Sequence, residues 1–166
     1  MSQVISNTSP LVNLAVIGRL DLVRRQLTEV AVPEAVWREM LALPHVAGRA
    51  SLLAARNAGW LRVVTLTQTA LAVSLRLAGL DEGEAEAIAL AVETSARLLL
   101  IDETKGRKAA RRLAVPVTGA LGILAKARQL GDVESVRLEI GRLRTEAGFY
   151  VSNEAEAKTL EMAGEI

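Results

Sequence analysis

The sequence predicts an α/β domain whose mainly parallel sheet carries helices on both faces. Short apolar stretches such as Val4-Ile5-Ser6 and Leu98-Leu99-Leu100-Ile101 alternate with stretches of helical period, and parallel neighbours need crossover connections of that kind. These two strands stop at polar residues, Asn7 and Asp102, and the carboxyl ends of parallel strands open onto the crevice where ligands collect. With 166 residues and 51% of them apolar, the chain has material for one core. Residues 1–166 are therefore expected to form a single domain, with helices from about residue 132 packing on it.

The elements follow in order. After the first strand, Ser9 caps a helix with Pro10 at its first position, and Leu11, Leu14, Ala15 and Ile17 lead to Gly18 as its stop. A short helix covers 21–27 and a strand 29–32. Pro33 opens a helix that buries Val36, Trp37 and Met40, turns Arg38 and Glu39 another way, and ends at Pro44. Residues 46–58 read as helix, 61–65 as strand and 67–78 as helix, with Gly59 and Gly79 as punctuation. Asp81-Glu82-Gly83-Glu84 begins the most regular helix, which delivers the chain to the strand ending at Asp102. A basic helix at 104–113, a strand at 115–118 and an apolar helix at 119–130 repeat the pattern. Beyond Gly131 come two helices separated by Gly148-Phe149-Tyr150-Val151, with Ser152 as a cap.

Composition excludes several function classes. Aromatics are 2% of the chain (Trp37, Trp60, Phe149, Tyr150), which argues against an aromatic-sheet binder of single-stranded nucleic acid. Twenty basic and nineteen acidic residues leave a formal charge of +1, so attraction to nucleic acid must come from a local patch. The absence of Cys removes disulfides, thiolate metal sites and cysteine nucleophiles, and fits a reducing, cytoplasmic location. The amino end lacks a secretory pattern, and the apolar runs fall well short of the roughly 20 residues of a membrane helix, so a soluble protein is expected. The glycines form neither a P-loop nor a G-x-G-x-x-G turn after the first strand. A positive mean hydropathy of +0.28 leaves apolar helix surface for a second copy, and a homodimer is expected.

The acidic residues each carry two readings. Asp102 follows four aliphatics at the ligand edge of the sheet, where hard cations find oxygen donors, and it equally suits the cap of the helix that follows. Glu84 lies one turn into its helix, and Asp-x-x-Glu is also a capping-box signature. Glu39 on an amphipathic helix reads by default as part of a solvated face. Lys105, Arg107, Lys108, Arg111 and Arg112 would line the rim of an acidic crevice and meet phosphates, or serve as a solubilising face. His45 beside Pro44 reads as a loop residue.

Several segments taken together resemble a known family: Val4-Ile5-Ser6-Asn7-Thr8-Ser9-Pro10-Leu11, Pro33-Glu34-Ala35-Val36-Trp37-Arg38-Glu39, Gly83-Glu84-Ala85-Glu86-Ala87-Ile88 and Leu100-Ile101-Asp102-Glu103-Thr104-Lys105-Gly106-Arg107. They resemble the PIN-domain family, most closely its prokaryotic branch akin to toxin–antitoxin ribonucleases. The likeness runs on through Pro116-Val117-Thr118-Gly119 and Gly148 to Ser152, and rests on order and spacing. It implies a three-layer α/β/α sandwich with a central sheet of four or five strands. It further implies separated acidic positions that converge on Mg²⁺ or Mn²⁺ to hydrolyse RNA phosphodiester bonds. Those positions fall on Asn7, Glu39, Glu84 and Asp102, as catalytic and metal-binding residues. Substrate-binding positions fall on Thr8, Ser9 and Thr118, with Lys105, Arg107 and Lys108 guiding phosphate. An RNA substrate and an antitoxin protein are the partners implied.

Asn7 departs from the family's acidic pattern. Its amide oxygen can ligate a metal or orient a water but supplies no negative charge, so weaker metal affinity is expected than with an aspartate. A catalytically weak or inactive module of the same fold, binding RNA or a protein, is the alternative that this substitution motivates.

Overall fold

A computed structural model describes residues 3–166, so the first two positions of the expected domain lie outside the described residues. β1 (Val4–Ser6) leads into α1 (Thr8–Val16) and α2 (Asp21–Leu27), and β2 (Val30–Pro33) into α3 (Glu34–Leu41) and α4 (Val46–Asn57). β3 (Leu61–Val64) is followed by α5 (Ala70–Leu77) and α6 (Glu82–Glu93), and β4 (Leu98–Leu100) by α7 (Thr104–Arg112). β5 (Val117–Thr118) precedes α8 (Ala120–Leu130), α9 (Val136–Glu146) and α10 (Asn153–Ala163).

All strand pairs are parallel, in the order β3-β2-β1-β4-β5, and helices flank the sheet in a three-layer sandwich. The chain builds outward from β1 through β2 to β3, then crosses back to β4 on the other side. The order reverses between β1 and β4, and in open parallel sheets that is where ligands bind, at the carboxyl ends of the strands. The register pairs Ser6 with Leu100, and the Asn7 N–H donates to the Leu100 carbonyl at 2.8 Å. Asn7 and Asp102 are thereby brought to one edge.

Aliphatic side chains form the core, as the scarcity of aromatics requires. Ile5, Leu99 and Leu100 in the central strands are fully buried, each contributing about 1.5–3 kcal/mol of apolar transfer. α6 packs against β1, β2 and β4 on one side and against α3, α5 and α7 on others, and its buried Ala85, Ala87, Ala89 and Ala91 keep it slim enough to be enclosed on several sides. That packing carries the first turn of α6 to the strand ends.

Two helix starts and one cap differ from expectation. α1 starts at Thr8, with Asn7 rather than Ser9 at its cap position. Pro10 is tolerated at the third helical position because the first N–H groups of a helix have no internal partner. α5 starts at Ala70, since the Thr67 and Gln68 N–H groups donate to the Glu93 carboxylate (3.1 and 2.7 Å) instead of entering the helix. His45 caps α4, its Nδ1 accepting from the Gly48 N–H at 2.9 Å, where a loop role was expected.

Candidate functional site

The end of β1 organises the site. Thr8 and Ser9, consecutive in the first turn of α1, reach two different acids: Thr8 Oγ1 donates to Glu39 Oε2 at 2.7 Å, and Ser9 Oγ donates to Asp102 Oδ2 at 3.0 Å. Asn13 Nδ2, one turn on, donates to Ser9 Oγ at 2.9 Å and fixes that hydroxyl. Glu39 from α3 and Asp102 from the end of β4 are thus held by neighbouring residues of a third element. Asn7 is buried at the α1 cap position, yet its side chain makes no capping hydrogen bond.

Asp102 does not cap the helix that follows it. Glu103 holds the cap position of α7, while Asp102 Oδ1 accepts from the Ala120 N–H at the start of α8, 2.8 Å away. Its carboxylate therefore ties β4, α1 and α8 together. Glu84 serves two ends at once. One oxygen completes a capping box with Asp81, whose Oδ1 accepts from the Glu84 N–H at 2.8 Å. The other, Oε2, is buried without any hydrogen-bond partner, and an unpartnered buried carboxylate oxygen is costly unless something else meets it.

A glycine lies against each acid. A side chain at Gly83 would collide with the Glu39 carboxylate, and one at Gly119 would collide with Asp102 Oδ1. A Cβ at Gly106 would stand 2.8 Å from Glu84 Oε2 and 2.6 Å from Ile101 Cδ1. All three glycines fall within the segments that resemble the family, and the approach of a carboxylate to each arises only in the folded chain.

All three acids hold their protons more tightly than usual. Burial pushes Glu84 up to about 7, with the Asp81 carboxyl adding to the effect. Desolvation raises Glu39 where its carboxylate tip sits against Gly83, opposed by the Thr8 hydroxyl and augmented by Asp81 and Glu82. Desolvation raises Asp102 too, against the pull of the Ala120 N–H, the Ser9 hydroxyl and Arg107. Asp81 therefore acts on both Glu39 and Glu84, a role beyond the helix cap that its place in Asp-x-x-Glu predicts. None of Glu39, Glu84 and Asp102 forms an ion pair with Lys, Arg or His among the described residues.

The basic residues divide. Arg107 is half-buried, donates to the Ile101 carbonyl at 3.0 Å and lines a cleft with Asp102 and Thr118; burial and the nearby Arg111 lower its pKa. Lys105 points to the Gly79 carbonyl at 3.2 Å. Lys108 is exposed on α7 outside that cleft. Lys158 of α10, which the sequence reading did not single out, does line it.

A family model described as PIN domain matches residues 3–165 of the chain. The chain belongs to the PIN-domain family. A comparison with curated proteins finds no match. The PIN fold is of nuclease type, and PIN nucleases use divalent metal ions and bind nucleic acid. Among the described residues no helix is long and apolar enough to cross a membrane.

The donors of this PIN domain fit a hard divalent cation in kind. They are oxygens only, three of the groups are carboxylates without a cationic partner, and Glu84 Oε2 is a buried acceptor left open. Among the described residues no three His, Cys, Asp or Glu side chains stand close enough to hold an ion as they are. Thr8 and Ser9 occupy an oxygen each of Glu39 and Asp102 in the arrangement seen.

Proposed function

We propose that this PIN domain is a Mg²⁺- or Mn²⁺-dependent endoribonuclease of the toxin type. The observation that supports it most is the trio of desolvated carboxylates with no cation to balance them, set at the switch point of the sheet. Burial disfavours the ionised form of each acid, and a bound divalent cation would offset that cost. Glu39, Glu84 and Asp102 would hold the metal, and the amide oxygen of Asn7 would assist. A bound Mg²⁺ or Mn²⁺ supplies charge for the scissile phosphate and lowers the pKa of a water. Thr8 and Ser9 orient Glu39 and Asp102, and Arg107, with Lys105, Lys108 and Thr118 nearby on α7 and β5, faces phosphate.

The test is RNA cleavage with Mn²⁺ by the purified protein beside an Asp102→Asn variant, each with and without chelator. The reading expects cleavage by the wild type alone, lost on chelation. Equal cleavage by both proteins contradicts it. A toxin role implies an antitoxin protein as partner, and we infer a homodimer in a cytoplasmic setting. A second reading, a module of this fold that binds RNA or protein without cutting, is favoured by one observation: Asn7 supplies no charge where the family pattern has an acid. Absence of Mn²⁺ binding at millimolar concentration supports that second reading over the first.

A further inference from the structure

The three acids do not account for a divided cleft beside Asp102. A cavity of about 520 Å³ reaches Asp102 from the side of Ser9 and Asn13, and another of about 540 Å³ reaches it from the side of Arg107, Thr118 and Lys158. Thr104, Phe149 and Tyr150 line both. The wall between them is the short connection from α9 to α10.

That wall is held at both ends. The Phe149 N–H donates to the Leu143 carbonyl at 3.0 Å, and the Arg144 guanidinium donates to the Val151 carbonyl at 2.8 Å. Phe149 packs against the core, whereas Tyr150 is 85% exposed. The protein's single phenylalanine and single tyrosine thus stand side by side here, while both tryptophans are buried. An exposed tyrosine on an anchored support offers a ring face at little ordering cost. On its α10 side lie Arg107 and Lys158, neither of which forms an ion pair among the described residues. Each cavity falls in the roughly 300–1,000 Å³ range of small-ligand sites, the size of one nucleotide.

We propose that the Phe149–Tyr150 wall positions an unpaired nucleotide next to the bond cut at Asp102, its base stacked on Tyr150 and its phosphate facing Arg107 and Lys158. A base locked inside a duplex stack cannot meet the tyrosine face. The inference rests on the nuclease reading for the identity of the bond, and its test is kept separate from cleavage.

The test titrates the full chain, in chelator, into a tetranucleotide RNA carrying 2-aminopurine, whose fluorescence is quenched by stacking. The wild type is expected to bind and quench. Tyr150→Ala should bind about tenfold more weakly and lose the quench, as removal of one stacking partner does, while Tyr150→Phe keeps both. Lys158→Gln should weaken binding and retain the quench. If the wild type binds and quenches but never cuts RNA with Mn²⁺, the nuclease reading falls and the subsite stands. If it cuts RNA while Tyr150→Ala binds and quenches as the wild type does, the subsite falls and the nuclease stands. No binding by the wild type at millimolar concentration overturns the subsite as well.

Discussion

Glu84 shows how one side chain is divided between stability and chemistry. Its capping-box oxygen holds the start of α6, and its other oxygen is buried without a partner. In an unfolded chain such a carboxyl titrates near 4.5, whereas in the fold burial moves it to about 7. The folded state therefore binds the proton more tightly, and metal-free protein loses stability as pH rises through that window. At ~1.4 kcal/mol per pH unit, the loss is on the order of 3 kcal/mol by about pH 8. Glu84→Gln removes the titration. Thermal unfolding without metal should then show the variant more stable than wild type at about pH 8 and the two converging near pH 5. Mn²⁺ should raise the melting temperature of the wild type alone, increasingly so as pH rises, because metal and proton compete for the same oxygens. An unchanged pH slope in the variant would show that Glu84 does not carry the penalty.

At the level of elements, the strands and their polar ends were legible because buried parallel strands read as short apolar runs, and the capping box of α6 because its spacing is local. The pairing of Thr8 with Glu39 and of Ser9 with Asp102 was not legible, since each joins residues far apart in sequence. Nor was the role of Asp102 at the start of α8: local spacing suggested a cap for α7, and only the sheet register brings Ala120 to its carboxylate. The start of α5 was misplaced for a similar reason, because Glu93 takes the N–H groups of Thr67 and Gln68 from across the fold. Resemblance to the family located Glu39, which as a lone glutamate on an amphipathic helix looked like ordinary surface. The glycine against each carboxylate and the tyrosine wall depend on tertiary approach, for which the sequence holds no periodic signal.

The whole molecule joins a sheet whose order reverses beside β1 to three helices: α3 carries Glu39 in its last turn, α6 carries Glu84 in its first, and α7 follows Asp102 and carries Arg107. The remaining surface is not uniformly polar. Val73 and Leu77, one turn apart on α5, are 53% and 85% exposed, which fits the inferred homodimer. Light scattering at micromolar concentration should give the dimer mass for the wild type and the monomer mass for Leu77→Asp, and a wild-type monomer mass throughout would contradict the dimer. The account as a whole depends on Asn7, Glu39, Glu84 and Asp102 sharing one cation. Anomalous diffraction at the manganese edge, from a crystal soaked in Mn²⁺, tests that sharing directly. The account predicts a peak within coordination distance of Glu39, Glu84 and Asp102, with Glu84 Oε2 no longer unpartnered. A well-ordered site with no peak, or manganese bound only elsewhere, would contradict it.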